Sequence, residues 1–167
     1  MKKGSIKVDQ ILKDGTIVQD FDESLSVSDL YDKLKKFFPN IEKNSENLIV
    51  GNFNENKYSI KCKNVTYLGK PHLKYKKRIQ ISGLKEFYEK SVSVGAKPLL
   101  LGIYSYADNT IFVNFDIDTY INKKSNNSSA HVYSDDLAEV CTLDGNSYFH
   151  KFDSFNNSIT VFKSDRG

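Results

Sequence analysis

The sequence has little of several residue types that carry diagnostic structure or chemistry. Its 167 residues include no Trp, one Met, three Pro and two Cys. Two cysteines are too few for a disulfide framework, so we expect Cys62 and Cys141 to be buried or half-buried thiols in a reducing cytoplasm. No metal site is expected, because these cysteines and His72, His131 and His150 do not cluster at the spacings that metal ligands require.

Long apolar runs are also absent. The longest, Pro98 to Ile103, has the length of a strand and falls far short of the roughly 18 residues that a spanning helix needs. Near the start of the chain, Lys7, Asp9 and Gln10 interrupt the apolar residues, so no signal peptide is predicted. We therefore expect a cytoplasmic protein with no membrane partner.

Motifs for common enzyme chemistry are missing as well. The sequence contains no phosphate-binding Gly-x4-Gly-Lys-Ser/Thr loop, no nucleophile elbow and no His-Glu-x-x-His. The letters of a metal-dependent nuclease occur at Glu55-Asn56-Lys57, but this segment is predicted to be an asparagine-rich turn, and its upstream candidate Asp32 falls on a predicted helix. Asp116 and Asp118 are interpreted as a solvated strand end. We expect no catalytic residue and no cofactor.

The formal net charge of +3 conceals a segregated distribution. Residues 9–32 are rich in aspartate, whereas no acidic residue lies between Glu55 and Glu86. The basic residues in that second interval are Lys57, Lys61, Lys63, Lys70, Lys74, Lys76, Lys77, Arg78 and Lys85. Segregation of this kind indicates a basic face for a polyanion. A merely solvated lysine-rich face has the same composition, so charge alone leaves both interpretations open.

Periodicity predicts one α+β domain made mainly of short strands. An apolar stripe with helical spacing runs from Val27 to Phe38, with Ser26 as its N-cap and Pro39 ending the helix. Shorter helices are predicted at 84–90, with Ser82 as cap, and at 135–140. Strands are predicted at 5–12, 16–21, 48–53, 58–68, 78–81, 99–106, 110–115, 148–152 and 159–162. The sequence therefore predicts a mainly β open barrel with two or three short helices.

Two polar segments between strands are the candidate binding sites. The first, the N-arm, contributes Lys70, His72, Lys74, Tyr75, Lys76, Lys77 and Arg78; the second, the C-arm, contributes Lys123, Lys124, Ser125, Asn126, Asn127, Ser128, Ser129 and His131. The six lysines are expected to contact phosphates, whereas Arg78, Asn126, Asn127, Ser128 and His131 are candidate readers of base edges. Each segment alone is also compatible with a solubilising loop.

The order of these motifs resembles the B3 DNA-binding domain. Gly69-Lys70, the strand residues Lys77 to Ile81 and a helix through Phe87 and Glu89 are similar to the opening of that domain, and Asn127 to Val132 is similar to its Asn-Ser-Ser strand. The resemblance covers about residues 65–140. It departs from the plant family in having Ser125 and Asn126 where that family has Trp before Asn-Ser-Ser, and in a longer spacing between the arms.

The resemblance extends to recognition domains of restriction enzymes of the EcoRII effector and BfiI C-terminal type, and most to the N-terminal domain of the McrB-like GTPase subunit of LlaJI-type systems. It implies a B3-like open pseudobarrel over 56–163 whose two arms clasp the major groove. Residues 1–55 would form an N-terminal hairpin and helix subregion, and 164–167 a linker or terminus.

The expected function is site-specific binding of double-stranded DNA in a bacterial restriction–modification system, with a fused AAA+ GTPase motor and a nuclease subunit as companions. An RNA-binding or modified-base-reading β-barrel and a protein-interaction domain remain open as alternatives.

Overall fold

The computed structural model describes residues 6–44, 48–53, 55–67, 73–107, 109–121, 128–142, 147–152 and 158–163. The strands are β1 (Val8–Ile11), β2 (Ile17–Asp20), β3 (Glu42–Lys43), β4 (Ile49–Phe53), β5 (Asn56–Asn64), β6 (Thr66–Tyr67), β7 (Lys76–Ile81), β8 (Lys97–Tyr106), β9 (Asn109–Phe115), β10 (Ser128–Tyr133), β11 (Ser147–Phe152) and β12 (Ser158–Lys163). The helices are α1 (Val27–Phe37), α2 (Leu84–Ser93), α3 (Ile117–Ile121) and α4 (Ser134–Cys141). Over these ranges, no helix is long and apolar enough to cross a membrane.

The largest layer is a seven-stranded sheet with the order β11-β12-β9-β8-β5-β4-β3. Its neighbours pair antiparallel except for β5 and β8, which run parallel with Tyr58 opposite Lys97 and Asn64 opposite Ile103. Parallel neighbours need a crossover, and here the connection passes through β6, β7 and α2. The N-arm therefore belongs to the crossover connection that joins two central strands of this sheet.

Helix α1 covers one face of this sheet. The hydroxyl of Ser26 accepts a hydrogen bond from the N–H of Asp29 at 3.1 Å, as predicted for the cap, and the helix ends before Pro39. Leu30 and Leu34 of α1 are buried against apolar side chains of β4, β5, β8 and β9. Val27 was predicted to belong to the buried stripe, but it lies in the first turn and is 75% exposed.

The other face of the large sheet carries a second layer, a three-stranded sheet with the order β10-β7-β6 and the helices α2 and α4. Gly102 of β8 lies at a close approach between the two layers. A Cβ atom at this position would lie 2.6 Å from Cγ2 of Val65 and 2.9 Å from Cγ2 of Ile79. Both distances are shorter than a van der Waals contact, so the close packing of β7 on β8 requires a glycine here.

The β1–β2 hairpin is joined to the main body by buried hydrogen bonds. The hydroxyl of Tyr104 donates to Oε1 of Gln10 at 2.7 Å and accepts from the N–H of Ile11 at 2.8 Å. The amide Nδ2 of Asn109 donates to the carbonyl of Ile11 at 2.9 Å. The N-terminal hairpin is thus held by groups on β8 and β9.

The predicted fold class is confirmed: the protein is an α+β open pseudobarrel made mainly of strands. Three local predictions need correction. The strand predicted over 58–68 is divided at Val65, whose N–H donates to the carbonyl of Ile103. Ser82 does not cap α2, because its N-cap is Gly83 in the left-handed region at φ 65° with no side-chain cap. The five-residue helix α3 was not predicted.

Candidate nucleic-acid interface

Strands β7 and β10 bring the ends of the two predicted arms together. They pair antiparallel, and Arg78 lies directly opposite His131. On the other side of β7, Arg78 is opposite Thr66 of β6. Directly opposite residues point to the same face of a sheet. Thr66, Arg78 and His131 therefore form one row across the three-stranded sheet.

This row lies on the face that is turned away from the core. Ile79, Ile81, Ala130 and Val132 alternate with the row and are buried between the two sheets. Arg78 is half-buried and His131 is exposed, and farther along the same face Lys76 is half-buried and Gln80 is exposed. Lys74 and Tyr75 are exposed in the turn that precedes β7. The result is a polar and basic sheet face, here called the β7–β10 face.

Two predictions about the N-arm are wrong. Lys76 and Lys77 were expected to precede the strand predicted to begin at Arg78, but they are the first two residues of β7. Lys77 was expected to contact phosphate, yet its side chain is 0% exposed and points into the core. Burial lowers the pKa of Lys77, and the nearby carboxylate of Asp22 acts in the opposite direction. A buried ammonium with an acidic partner is not available to a phosphate group.

The partner of Lys77 belongs to the segment that follows β2. Oδ1 of Asp22 lies 3.2 Å from Nζ of Lys77 and accepts from Nε2 of Gln10 at 2.8 Å. Oδ2 of Asp22 accepts from the backbone N–H of Tyr67 at 2.7 Å. The ring of Tyr104 lies beneath the ammonium, with 5.6 Å between Nζ and the ring centroid. Asp22 therefore connects the N-terminal hairpin with β6 and β7.

A surface pocket of about 350 Å³ lies at the end of the β7–β10 face. Its lining residues are Tyr75, Lys76, Tyr133, Asp135 and Asp136. The rings of Tyr75 and Tyr133 are in contact, with centroids 5.9 Å apart and planes inclined at 56°. Oδ2 of Asp136 accepts from the N–H of Tyr133 at 3.0 Å, which fixes the carboxylate at the start of α4.

Sequence reasoning had not selected Tyr133, Asp135 or Asp136 as site residues. These residues occupy the junction between β10 and α4, which the sequence predicted only as a strand followed by a helix. The backbone carbonyl of Tyr75 accepts from the N–H of Ser134 at 2.9 Å, so the turn before β7 is attached directly to this junction. The signal in the sequence that could have indicated this site is the polar junction between β10 and α4, which directly follows the C-arm.

Part of each arm lies outside the described residues. Lys70 and His72 of the N-arm and residues 122–127 of the C-arm, which include Lys123, Lys124, Ser125, Asn126 and Asn127, belong to this part. Ser128 and Ser129 begin β10 and pair with Ile81 and Gln80. The strand predicted to begin with the Asn-Ser-Ser motif is thus present as β10, from Ser128 onward.

The carboxylates and cysteines that were considered for nuclease or metal chemistry lie in a turn, at a helix start or in half-buried positions. Glu55 lies in the turn between β4 and β5 with φ 68°, as the asparagine-rich sequence predicted. Oδ1 of Asp116 accepts from the N–H of Asp118 at 3.2 Å at the start of α3. In the ranges covered by the structure, no three His, Cys, Asp or Glu side chains form a group suited to a metal ion. Cys62 and Cys141 are half-buried thiols, as predicted.

Fold and interface together define an α+β open pseudobarrel domain with a polar, basic sheet face where two distant strands meet. The chain belongs to the Methylase-associated X1 family, whose model matches residues 56–166. The match begins at the first residue of β5 and includes β7, β10 and the pocket. Membership supports the coarser part of the expectation from the sequence, an association with restriction–modification systems. Comparisons with curated proteins and with solved structures give no match.

Proposed function

We propose that this chain is the site-specific duplex-DNA-binding domain of a bacterial restriction–modification system, and that its two arms clasp the major groove. The position of Arg78 directly opposite His131 carries the proposal. This pairing brings together the basic N-arm and the Asn/Ser-rich C-arm, which are far apart in the sequence. The resemblance to B3-like domains and the family's association with methylases both support this function.

The two kinds of side chain on the β7–β10 face suit different parts of a duplex. The guanidinium of Arg78 can bind O6 and N7 of guanine with two parallel hydrogen bonds, which a lysine cannot do. Gln80 lies two residues along the same strand and face, and its amide suits N6 and N7 of adenine. His131, Ser128, Asn126 and Asn127 remain the candidate readers from the C-arm.

In this proposal, phosphate contacts fall to the lysines of the two arms. Since Lys77 is buried, the expected set is reduced to Lys70, Lys74, Lys76, Lys123 and Lys124. Neutralising about five phosphates gives a slope of roughly −4.5 when log affinity is plotted against log salt concentration. The domain carries no reaction in this proposal; nucleotide hydrolysis and cleavage belong to a fused AAA+ GTPase motor and a nuclease subunit.

Selection of bound duplexes from a random pool, followed by titrations at several salt concentrations, tests the proposal. We expect enrichment of a motif of a few base pairs and the steep salt dependence given above. Competition with single-stranded RNA and with methylated duplex separates this function from an RNA-binding or modified-base-reading module, and competition with a labelled protein lysate separates it from a protein-interaction domain. A salt-insensitive interaction without an enriched motif would overturn the proposal.

A matched pair of lysine variants sharpens this experiment. Lys76 lies on the β7–β10 face, whereas Lys36 is exposed on α1, on the opposite face of the seven-stranded sheet. Lys76→Ala is expected to weaken binding to all duplexes and to reduce the salt slope by about 1. Lys36→Ala removes the same charge and is expected to change neither quantity. Equal effects of both variants would show that only net charge matters.

A further inference from the structure

The pocket at the end of the β7–β10 face includes acidic side chains that the proposed duplex contacts do not use. We propose that it holds one nucleobase turned out of the duplex, a cytosine or an adenine, whose exocyclic amino group donates a hydrogen bond to Asp135. The proposal deepens the function proposed above and rests on it. Three parts of the pocket match three parts of a nucleotide.

The aromatic part matches the face of a base. Tyr75 is 45% exposed although its ring packs against Tyr133. With the two centroids only 5.9 Å apart, no base fits between the rings, so a base stacks on the outer side of Tyr75. Exposed aromatic rings are the usual platforms for unpaired bases, since every base has a π-face.

The acidic part selects an amino group on that base. Ionised carboxylates only accept hydrogen bonds, so they suit N4 of cytosine and N6 of adenine and are repelled by the carbonyl oxygens of thymine or uracil. Asp135 is exposed at the pocket, whereas Asp136 is almost buried and already accepts from Tyr133. Asp135 is therefore the residue that reads the amino group.

The basic part of the pocket, Lys76, disfavours an organic cation as the ligand. Aromatic and acidic side chains together also suit an organic cation. Lys76 lines the same pocket and disfavours a cation, but it matches the phosphate that accompanies every nucleotide. Lys76 lies opposite Tyr133 and two residues from Arg78, so the pocket and the β7–β10 face share both strands.

Mononucleotide titrations followed by NMR chemical shifts of the whole chain test the pocket without any duplex. The ligand pairs are dCMP with dUMP and dAMP with dIMP, because the members of each pair differ in an amino or a carbonyl group on the base and in the protonation of the adjacent ring nitrogen. We expect the amino member of at least one pair to bind several-fold more tightly and to shift resonances of Tyr75 and Tyr133. Which pair discriminates identifies the base as cytosine or adenine.

Three variants assign this discrimination to the pocket. Asp135→Asn is expected to abolish the preference, since a carboxamide offers a donor as well as an acceptor. Tyr75→Ala is expected to weaken binding of both members of a pair by about tenfold, as for loss of one stacking platform. Lys36→Ala, on the far side of the molecule, is expected to leave both affinities unchanged.

The outcome separates this inference from the proposed function. If duplexes bind but neither pair discriminates, or no nucleotide perturbs the two tyrosines at its solubility limit, the pocket proposal is overturned and duplex binding stands. If mononucleotides discriminate but no duplex motif is enriched, site-specific duplex binding fails instead. Duplex binding provides a further test. A mismatch at the base that is turned out of the duplex lowers the cost of unstacking this base, so it should raise the affinity of the wild-type chain but not of Tyr75→Ala.

Discussion

Nζ of Lys77 lies 3.2 Å from Oδ1 of Asp22, and the lysine side chain is completely buried. Lys77 belongs to the part of the chain that matches the family model, whereas Asp22 precedes it. The strand that carries Arg78 thus depends on a carboxylate from outside the matched region. Residues 1–55 are structurally coupled to the β7–β10 face through this pair.

We expect Asp22→Asn to destabilise the protein by about 3 kcal/mol, because breaking a buried ion pair leaves an uncompensated charge. Asp22 keeps 21% of its side chain exposed, which places the expected loss at the lower end of the usual range. Urea unfolding measures the loss as a lower midpoint at an unchanged m-value. Asp32→Asn is the control, because Asp32 is exposed on the solvent side of α1. A similar shift of the urea midpoint in both variants would contradict the prediction.

The alkaline limb of stability is expected to depend on two tyrosines. Burial raises the pKa of Tyr104. The hydroxyl of Tyr106 donates a hydrogen bond to Asp20, and this bond raises the pKa of Tyr106 to about 12. A pKa raised in the folded state stabilises the protein below the unfolded pKa of about 10, and this contribution is lost as pH rises through the folded value. Both tyrosines therefore favour the folded state at neutral pH and cease to do so in alkali.

Tyr106→Phe tests this sign. The difference in unfolding free energy between this variant and the wild type should shrink as pH rises from 10 towards 12. The phenolate absorption band follows the ionisation directly, since the sequence contains no Trp. A difference that stays constant over this interval would mean that the hydrogen bond to Asp20 does not perturb the titration.

Gly102→Ala is expected to destabilise the fold by about 1–3 kcal/mol, the usual cost of overpacking a core. The added Cβ would lie 2.6 Å from Val65 and 2.9 Å from Ile79, so β7 must move away from β8. Thermal unfolding measures the loss. In the double variant Gly102→Ala/Val65→Ala the clash with Val65 is absent, and we expect a smaller loss than the sum of the two single variants. Simple additivity would argue against steric contact as the cause.

Arg78→Lys is expected to separate specificity from affinity. The substitution keeps the positive charge but removes the planar fork that would bind guanine in the proposed function, so sequence discrimination at one position should fall by about 1–3 kcal/mol. Because the charge is retained, the salt slope should stay close to that of the wild type. Binding titrations against the selected motif and its single-base variants measure both quantities. A reduced salt slope with unchanged discrimination would make Arg78 a phosphate contact.

The sequence predicts well those elements whose pattern is local. The stripe of α1 and its Ser26 cap lie within a few turns of helix, and the β8–β9 hairpin joins two adjacent apolar runs. The strand after the Asn-Ser-Ser motif was predicted from a resemblance and occurs as β10. In each case the information is confined to a short stretch of chain.

The burial of Lys77 and its contact with Asp22 were not predicted from the sequence. Alternation along β7 places Lys77 on the same side as Ile79 and Ile81, and this period was visible in the sequence. The sequence nevertheless predicted a strand that begins at Arg78, so Lys77 fell outside the predicted strand and its alternation with Ile79 and Ile81 did not enter the prediction. The partner Asp22 was beyond prediction, since no local pattern specifies a contact between a segment after β2 and the interior of β7. The pocket was missed for the same reason.

The pairing of β7 with β10 also has a kinetic consequence. Its partners lie about fifty residues apart, so closing this pair costs more chain entropy than forming any hairpin in the molecule. During synthesis, Arg78 leaves the ribosome long before His131. A nascent chain therefore carries its basic arm before the partner strand exists, and under the proposed function it gains sequence discrimination only when β10 adds to the sheet.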